Sequence, residues 1–317
     1  MTDFKLPPFH VAPGEKAQAY LPITGTDFEL PVTVINGSSG GPTVLITGGV
    51  HNAEFVGIQA AIELASEILP DSIAGTLILM PLLNRSGFEH RTMSLTYEDN
   101  KNLNRVFPGD ADGSPSDRLA AYLVKNIFPK IDYLIDLHCG DGFESLSPYV
   151  YCQGCAAPNV QFASLSMDRC TAMPLIIRSQ VGTGGLYNEA GSRGIPAVLI
   201  ERGCLSLWNH EEVLADKQDV RNILKYLNVL DGEHTPNEHI PIFREIGISA
   251  PVGGCWYPSV LGGDSVKAGD TIGTIRDYFG NTLYTCTADS DMTVLHIIQS
   301  LNILKDDPMV SLAKDQL

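Results

Sequence analysis

The chain has 317 residues, 44% of them hydrophobic, with 21 basic against 37 acidic side chains and a net charge of −16. Such a length accommodates a large domain and a small one, and the apolar fraction supplies a sizeable core. The acidity argues against nucleic acid and against an anionic membrane as partners, because phosphate recognition rests on clustered Lys and Arg.

The start, "MTDFKLPPFH", lacks the basic residues and apolar stretch of a signal peptide. Residues 1–42 read as β-rich. "ELPVTVING" (29–37) alternates apolar and polar residues and runs into "GSSGG" (37–41), which has the spacing of a G-x-S-x-G nucleophile elbow. An elbow needs a helix after it. A strand follows instead, "PTVLITGGV" (42–50), so a hairpin turn is expected here.

Residues 54–69 carry apolar side chains at three- and four-residue spacing and stop at Pro70, which predicts a helix. A buried strand is expected over 75–84, a helix over 114–128, a strand over 132–140, a helix over 158–170, a strand over 195–203 and a long helix over 211–230. Strands alternating with helices predict an α/β fold with a mixed, mostly parallel sheet flanked by helices. No apolar run approaches the about 20 residues that cross a bilayer. At 231 the texture changes to a polar linker, "DGEHTPNEHIP", and then to short strands with Gly-rich turns. The expected organisation is a large domain over 1–230, including the β-rich segment 1–42, and a small all-β domain over 231–317.

The seven cysteines are odd in number and scattered, which reads as reduced thiols and a cytoplasmic location. Cys152 and Cys155 form a C-x-x-C, but the second pair that a structural zinc would need is missing.

Ligands of open α/β sheets gather at the carboxyl ends of the strands. His51, Asn84, His138 and Glu201 each follow a predicted strand. Catalytic zinc commonly takes two His and one carboxylate and leaves a position for water. His51, Glu54 and His138 supply that set. Asn104 and Arg105 sit in "NKNLNRVFPG" (100–109), and an Arg can hold a carboxylate through two parallel hydrogen bonds. Asp136, two residues before His138, either orients a ligand His or accepts a backbone hydrogen bond. Trp256 and Tyr257 belong either to a substrate mouth or to the core of the β domain.

Taken together, "GGVHNAEF" (48–55), "PLLNR" (81–85), "NLNRVFPG" (102–109), "DLHCG" (136–140) and "LIERG" (199–203) resemble, in order and approximate spacing, the motifs of the succinylglutamate desuccinylase/aspartoacylase family of zinc carboxypeptidase-like hydrolases. The all-β tail is similar to that family's C-terminal domain. The resemblance implies one Zn2+ held by His51, Glu54 and His138, and Glu201 as the general base that activates the metal-bound water. It implies Asn104 and Arg105 as a clamp for a substrate carboxylate. Arg91, in "FEHRTM", is the candidate for stabilising the oxyanion, although relatives often place that Arg two residues later, where this chain has Met93. Arg178, Arg193 and Arg202 are the basic residues near Glu201 that a succinyl carboxylate would call on.

The implied activity is hydrolysis of the amide bond of a small N-acylated amino acid or related compound. A metallo-carboxypeptidase would use the same residues on peptide C-termini, and a non-catalytic binding protein could share the scaffold. The β domain favours the deacylase, because in the resembling family it narrows the site against long peptides. A small-molecule substrate is therefore expected as partner, with no nucleic acid or membrane, and a homo-oligomer is an ordinary expectation.

Overall fold

The structure is a computed structural model that describes residues 2–315. The strands β1 (Phe4–Leu6) and β2 (Phe9–Val11) form a small antiparallel pair. They are followed by β3 (Glu15–Pro22), β4 (Glu29–Asn36), β5 (Ser39–Gly48), α1 (Phe55–Glu67), β6 (Ala74–Met80), α2 (Arg85–His90) and α3 (Pro115–Tyr122). Next come β7 (Tyr133–His138), β8 (Glu144–Leu146), β9 (Tyr149–Cys152), α4 (Pro158–Asp168), β10 (Ile176–Arg178), α5 (Leu186–Ser192), β11 (Ala197–Glu201) and α6 (His210–Tyr226). The remainder is β12 (Ile242–Ser249), β13 (Gly254–Pro258), β14 (Ser265–Val266), β15 (Thr271–Arg276), β16 (Thr282–Thr287), β17 (Met292–Ile298), β18 (Asn302–Ile303) and β19 (Pro308–Asp315).

A large mixed sheet runs in the order β14-β17-β19-β12-β10-β9-β11-β7-β5-β6-β4-β3, with β8 paired to β17. Its centre is parallel: β5 pairs in parallel with β6 and β7, and β7 with β11. These strands are apolar on both faces because both faces are covered. Leu45, Ile78, Leu134 and Leu199 join the core on one side, while Val44, Ile46, Leu77, Ile135 and Ile200 join the core on the other. The two-residue period of the strand thus feeds two cores at once.

The 37–41 turn does not make a hairpin. β6 lies between β4 and β5, antiparallel to the first and parallel to the second. The glycines serve close backbone approach instead. A Cβ on Gly37 would sit 2.2 Å from the Ile73 carbonyl oxygen, and one on Gly41 would sit 2.7 Å from the Ala74 carbonyl carbon. The segment therefore crosses over the start of β6, and no side chain fits at Gly37 or Gly41. The helix expected over 114–128 starts with a capping box of Ser114 and Asp117 and keeps α geometry only to Tyr122; Leu123–Ile127 continue as a π-helical stretch.

Gly57 sets how closely α1 lies on the sheet, since a Cβ there would meet Leu137 Cβ at 2.7 Å and its carbonyl oxygen at 2.8 Å. Gly57→Ala is expected to push α1 off β7 and cost about 1–3 kcal/mol, the range for overpacking. Chemical denaturation of the two proteins measures the difference.

Beyond residue 241 the chain re-enters the same sheet, because β12 pairs with β10 and β19. The strands β16-β15-β13-β18 form a separate four-stranded sheet over a core with Trp256, Ile272 and Ile275. Trp256 is 1% exposed and donates its indole N–H to the Ile298 carbonyl at 2.9 Å, so it is core. Tyr257 is partly exposed beneath the Arg276 guanidinium. Among the described residues no helix is long and apolar enough to cross a membrane.

Candidate active site and metal centre

Three parallel strands deliver the site to one edge of the sheet. β5 ends at Gly48, and Gly49, at φ +58, turns the chain into the loop that carries His51 and ends at Glu54, the residue before α1. β7 lies beside β5 and ends at His138. β11 lies beside β7, with Glu201 directly opposite His138. Asn84 holds the scaffold of the first loop: its amide donates to Asn52 Oδ1 at 2.9 Å and its oxygen accepts from the Gly87 N–H at 3.0 Å.

His51 Nδ1 lies 2.7 Å from Glu54 Oε1, and His138 Nδ1 lies 2.9 Å from Glu54 Oε2. The donor atoms of the three residues all fall within 4.8 Å of one another. On the far side of each ring, Nε2 is tied to an acceptor: His138 to Asp136 Oδ2 at 3.1 Å and His51 to Asn102 Oδ1 at 3.2 Å. Asp136 is itself fixed by the Thr47 hydroxyl at 2.7 Å. A proton on each Nε2 leaves each Nδ1 with its lone pair facing Glu54. Glu54 Oε2 is buried and accepts no hydrogen bond despite the near contact with His138. Two imidazole lone pairs and an orphaned carboxylate oxygen converging on one point fit a divalent cation, and two nitrogens with one carboxylate are a donor set zinc takes in hydrolases. A proton competes for the same position. Burial lowers the basicity of His138, but Glu54 and Asp136 outweigh it and raise its pKa well above the usual imidazole value, so metal binding must displace that proton.

Glu201 lies in the same cavity. Burial raises its pKa well above that of a free carboxyl; His138 opposes the shift, and Glu54, Glu144 and Asp136 add to it. Its carboxylate is therefore a stronger base than an exposed Glu.

The cavity has a volume of about 610 Å³, and both Asn104 and Arg105 line it. Their short 3-10 helix, Leu103–Arg105, is capped by Asn102, whose side chain accepts from the Asn104 N–H at 2.8 Å. Asn104 Oδ1 accepts from the Leu186 N–H at 2.9 Å, which turns that oxygen to structural use and leaves the amide nitrogen as the donor. Arg91 is not brought to the cavity. It ends α2 in a left-handed conformation and is exposed, and of that segment it is Ser94 that reaches the cavity wall. Arg178, Arg193 and Arg202 also lie outside the lining; Arg202 is paired with Asp216 and Asp219, and Arg193 with Glu189.

Other lining residues carried no signal in the sequence: Glu144, Tyr151, Glu245, His296 and Ser311. They sit inside ordinary strand patterns, and only strand pairing brings them to the cavity.

A model of the succinylglutamate desuccinylase/aspartoacylase catalytic domain matches residues 40–227. The chain belongs to the succinylglutamate desuccinylase/aspartoacylase family. A curated member from Halomonas elongata, N-alpha-acetyl-L-2,4-diaminobutyric acid deacetylase, is 28% identical over 261 residues, covering 78% of this chain and 74% of the relative. The family's solved structures agree in fold. A succinylglutamate desuccinylase/aspartoacylase from Rhodobacter sphaeroides superimposes with a TM-score of 0.83 at 25% identity, over 95% of this chain and 96% of the other. An aspartoacylase family protein from Mesorhizobium loti does so with a TM-score of 0.80 at 25% identity, over 96% of each chain. The protein is accordingly a member of a hydrolase family whose curated relative cleaves an N-acyl amino acid.

The loop that carries Asn104 and Arg105 depends on Asp99. This carboxylate accepts from the Thr96, Ser114 and Ser116 hydroxyls and the Ser116 N–H. Partial burial works to raise its pKa, but these donors win and hold it down at about 2, below its ordinary 3.8. A depressed carboxyl adds stability that is present above the unfolded value and disappears as pH falls through the folded one. The amides of residues 101–106 are expected to lose hydrogen-exchange protection between about pH 4 and pH 2 before the sheet does, and Asp99→Asn is expected to loosen them already at neutral pH.

Proposed function

We propose that the protein is a zinc-dependent deacylase that hydrolyses the amide bond of a small N-acylated amino acid. The observation that carries this reading is the meeting of His51, Glu54 and His138 with Glu201 in one cavity, with Asn104 and Arg105 on its wall. His51, Glu54 and His138 would hold the cation. When bound, zinc lowers the pKa of water and polarises a carbonyl.

The chain's own groups supply the rest. Arg105 and the Asn104 amide bind and orient the substrate carboxylate, which fixes the scissile amide against the strand ends. The Glu201 carboxylate takes the proton of the attacking water and then carries it to the departing nitrogen, which leaves as an amine. Its raised pKa suits both halves of that transfer. Asp136 and Asn102 keep the two imidazoles in the orientation and tautomer described above. The activity of the Halomonas relative on an acetylated diamino acid supports this reading, as does the family match.

The test is amine release from N-acetyl, N-succinyl and N-formyl amino acids and from blocked dipeptides, each with and without a chelator. Chelator-sensitive release from an N-acyl amino acid is the expected result. Preferential turnover of blocked dipeptides would make the protein a carboxypeptidase. No release from any of them with zinc supplied would remove the deacylase reading.

A further inference from the structure

Behind the cavity, on the opposite side of the sheet, one cation is held by two buried acids directly beneath Glu201. In β11 Ala197 and Leu199 join one core, and Val198 and Ile200 join the other. Glu201 therefore shares the face of Leu199, and both line the cavity. Arg202 follows on the other side and reaches α6. Its Nε donates to Asp216 Oδ1 at 2.8 Å, and its Nη2 donates to Asp219 Oδ2. The two aspartates stand three residues apart, so they lie on one face of the helix. Asp216 is 0% and Asp219 1% exposed. The second oxygen of Asp219 accepts from the Ala172 N–H at 2.7 Å, which ties the group to the turn after α4 as well.

This arrangement is a poor device for stability. Two acids share one guanidinium, and Asp216 Oδ2 is buried with no partner. Burial raises the Asp216 pKa to about 8 even though Arg202 opposes the shift. Buried ion groups of this kind are often matched or bettered in stability by apolar side chains of similar volume, and what they supply is a defined geometry.

The geometry in question is that of the reacting strand ends. The Arg202 N–H donates to the carbonyl of His138 at 3.1 Å, and the Gly140 N–H donates to the Gly203 carbonyl at 3.0 Å. Arg202 is thus bonded at its backbone to a residue of the metal centre and at its side chain to α6. Gly203, at φ +95, then turns the chain over α1, where a Cβ would sit 2.6 Å from Val56 Cγ2. The charges that weigh most on Glu201 are those of His138, Glu54, Glu144 and Asp136. The guanidinium, turned to the opposite face, acts on Glu201 through the backbone.

Resting on the deacylase reading, we propose that Arg202 is a positioning residue: clamped by Asp216 and Asp219, it fixes the end of β11 against α6 and with it the place of the Glu201 carboxylate beside His138. The clamp sets where the base stands, while substrate binding stays with Asn104 and Arg105.

The experiment compares the wild type with Arg202→Met, Arg202→Lys and the triple variant Arg202→Met/Asp216→Leu/Asp219→Asn, on the N-acyl amino acid that the panel above identifies. Asn at 219 keeps an oxygen for the Ala172 N–H. Arg202→Met is expected to lower kcat by about 10–100-fold, the scale of a small misplacement of a reacting group. KM should stay within about twofold and zinc should stay stoichiometric, since neither the carboxylate clamp nor the ligands are touched. Arg202→Lys can make one of the two contacts and should recover part of the loss. The triple variant removes the buried charges together, so it should melt no lower than the wild type and still show the loss in kcat. It carries the test if Arg202→Met alone does not fold. In a Glu201→Gln background, Arg202→Met should cost less than about a further twofold, because the group it places is already gone.

A triple variant with wild-type kcat would overturn the proposal, as would a loss from Arg202→Met that repeats in full in the Glu201→Gln background. If no N-acyl compound is cleaved, the deacylase reading falls by itself, and crystal structures of the wild type and the triple variant decide the positioning role. A Glu201 carboxylate displaced from His138 in the variant supports it, and an unmoved one overturns it.

Discussion

Glu201→Gln is expected to lower kcat by about 10²–10⁴-fold while the protein stays folded and keeps one zinc per chain. The change removes the proton acceptor and keeps the shape of the side chain. It also removes a carboxylate that burial and three neighbouring carboxylates already disfavour as a charge, so thermal stability should hold or rise. The pH profile provides a second readout. A base must be deprotonated to act, and burial with its acidic neighbours raises the Glu201 pKa well above the ordinary carboxyl value. In the wild type kcat/KM should therefore climb with pH through a range above that of a free Glu, and the variant's residual activity should lack that limb. Metal analysis with a pH–rate profile of both proteins checks the claim; a variant that loses its zinc, or that keeps wild-type kcat, would remove Glu201 from the proposed role.

His138→Ala is expected to abolish stoichiometric zinc binding and with it the chelator-sensitive activity. His138 is 1% exposed, and its removal leaves Glu54 Oε2 and Asp136 facing an empty space. Asp136→Asn is the graded control. It keeps the side-chain volume but weakens the acceptor that orients the ring, and partners of this kind are worth about 10–100-fold in metal affinity. A ligand that binds only the folded state stabilises it by about 4 kcal/mol at a thousandfold excess over its dissociation constant. Zinc should accordingly raise the melting temperature of the wild type and, at higher concentration, of Asp136→Asn, and leave that of His138→Ala where it was. Melting curves over a zinc titration, with metal content after gel filtration, make the comparison.

Much of this protein is settled by local chemistry along the chain. The central strands announce themselves because β5, β6, β7 and β11 are apolar on both faces, as only doubly covered parallel strands are. The helix α1 shows its period and ends before Pro70, and α4 and α6 lie on the stretches expected to be helical. His51, Glu54, His138 and Glu201 are legible because parallel strands bring their carboxyl ends to one edge, so residues just after such strands meet without any knowledge of the packing.

What the sequence could not decide depends on pairing between distant segments. The 37–41 turn looks the same whether β4 and β5 pair directly or admit β6 between them, because glycines permit a tight turn and a close backbone approach equally well. The exposed position of Arg91 follows from where α2 ends in space. The far wall of the cavity is a tertiary product throughout: Glu144, Tyr151, Glu245, His296 and Ser311 come from five strands, and each sits in a pattern that would equally suit a solvated sheet face. The residues proposed to react are thus written in short motifs, because one strand end and its loop are enough to place them. The charge of the space around them is decided only when β8, β9, β12, β17 and β19 are assembled, because a cavity's electrostatics is a sum over neighbours that no single stretch of chain contains.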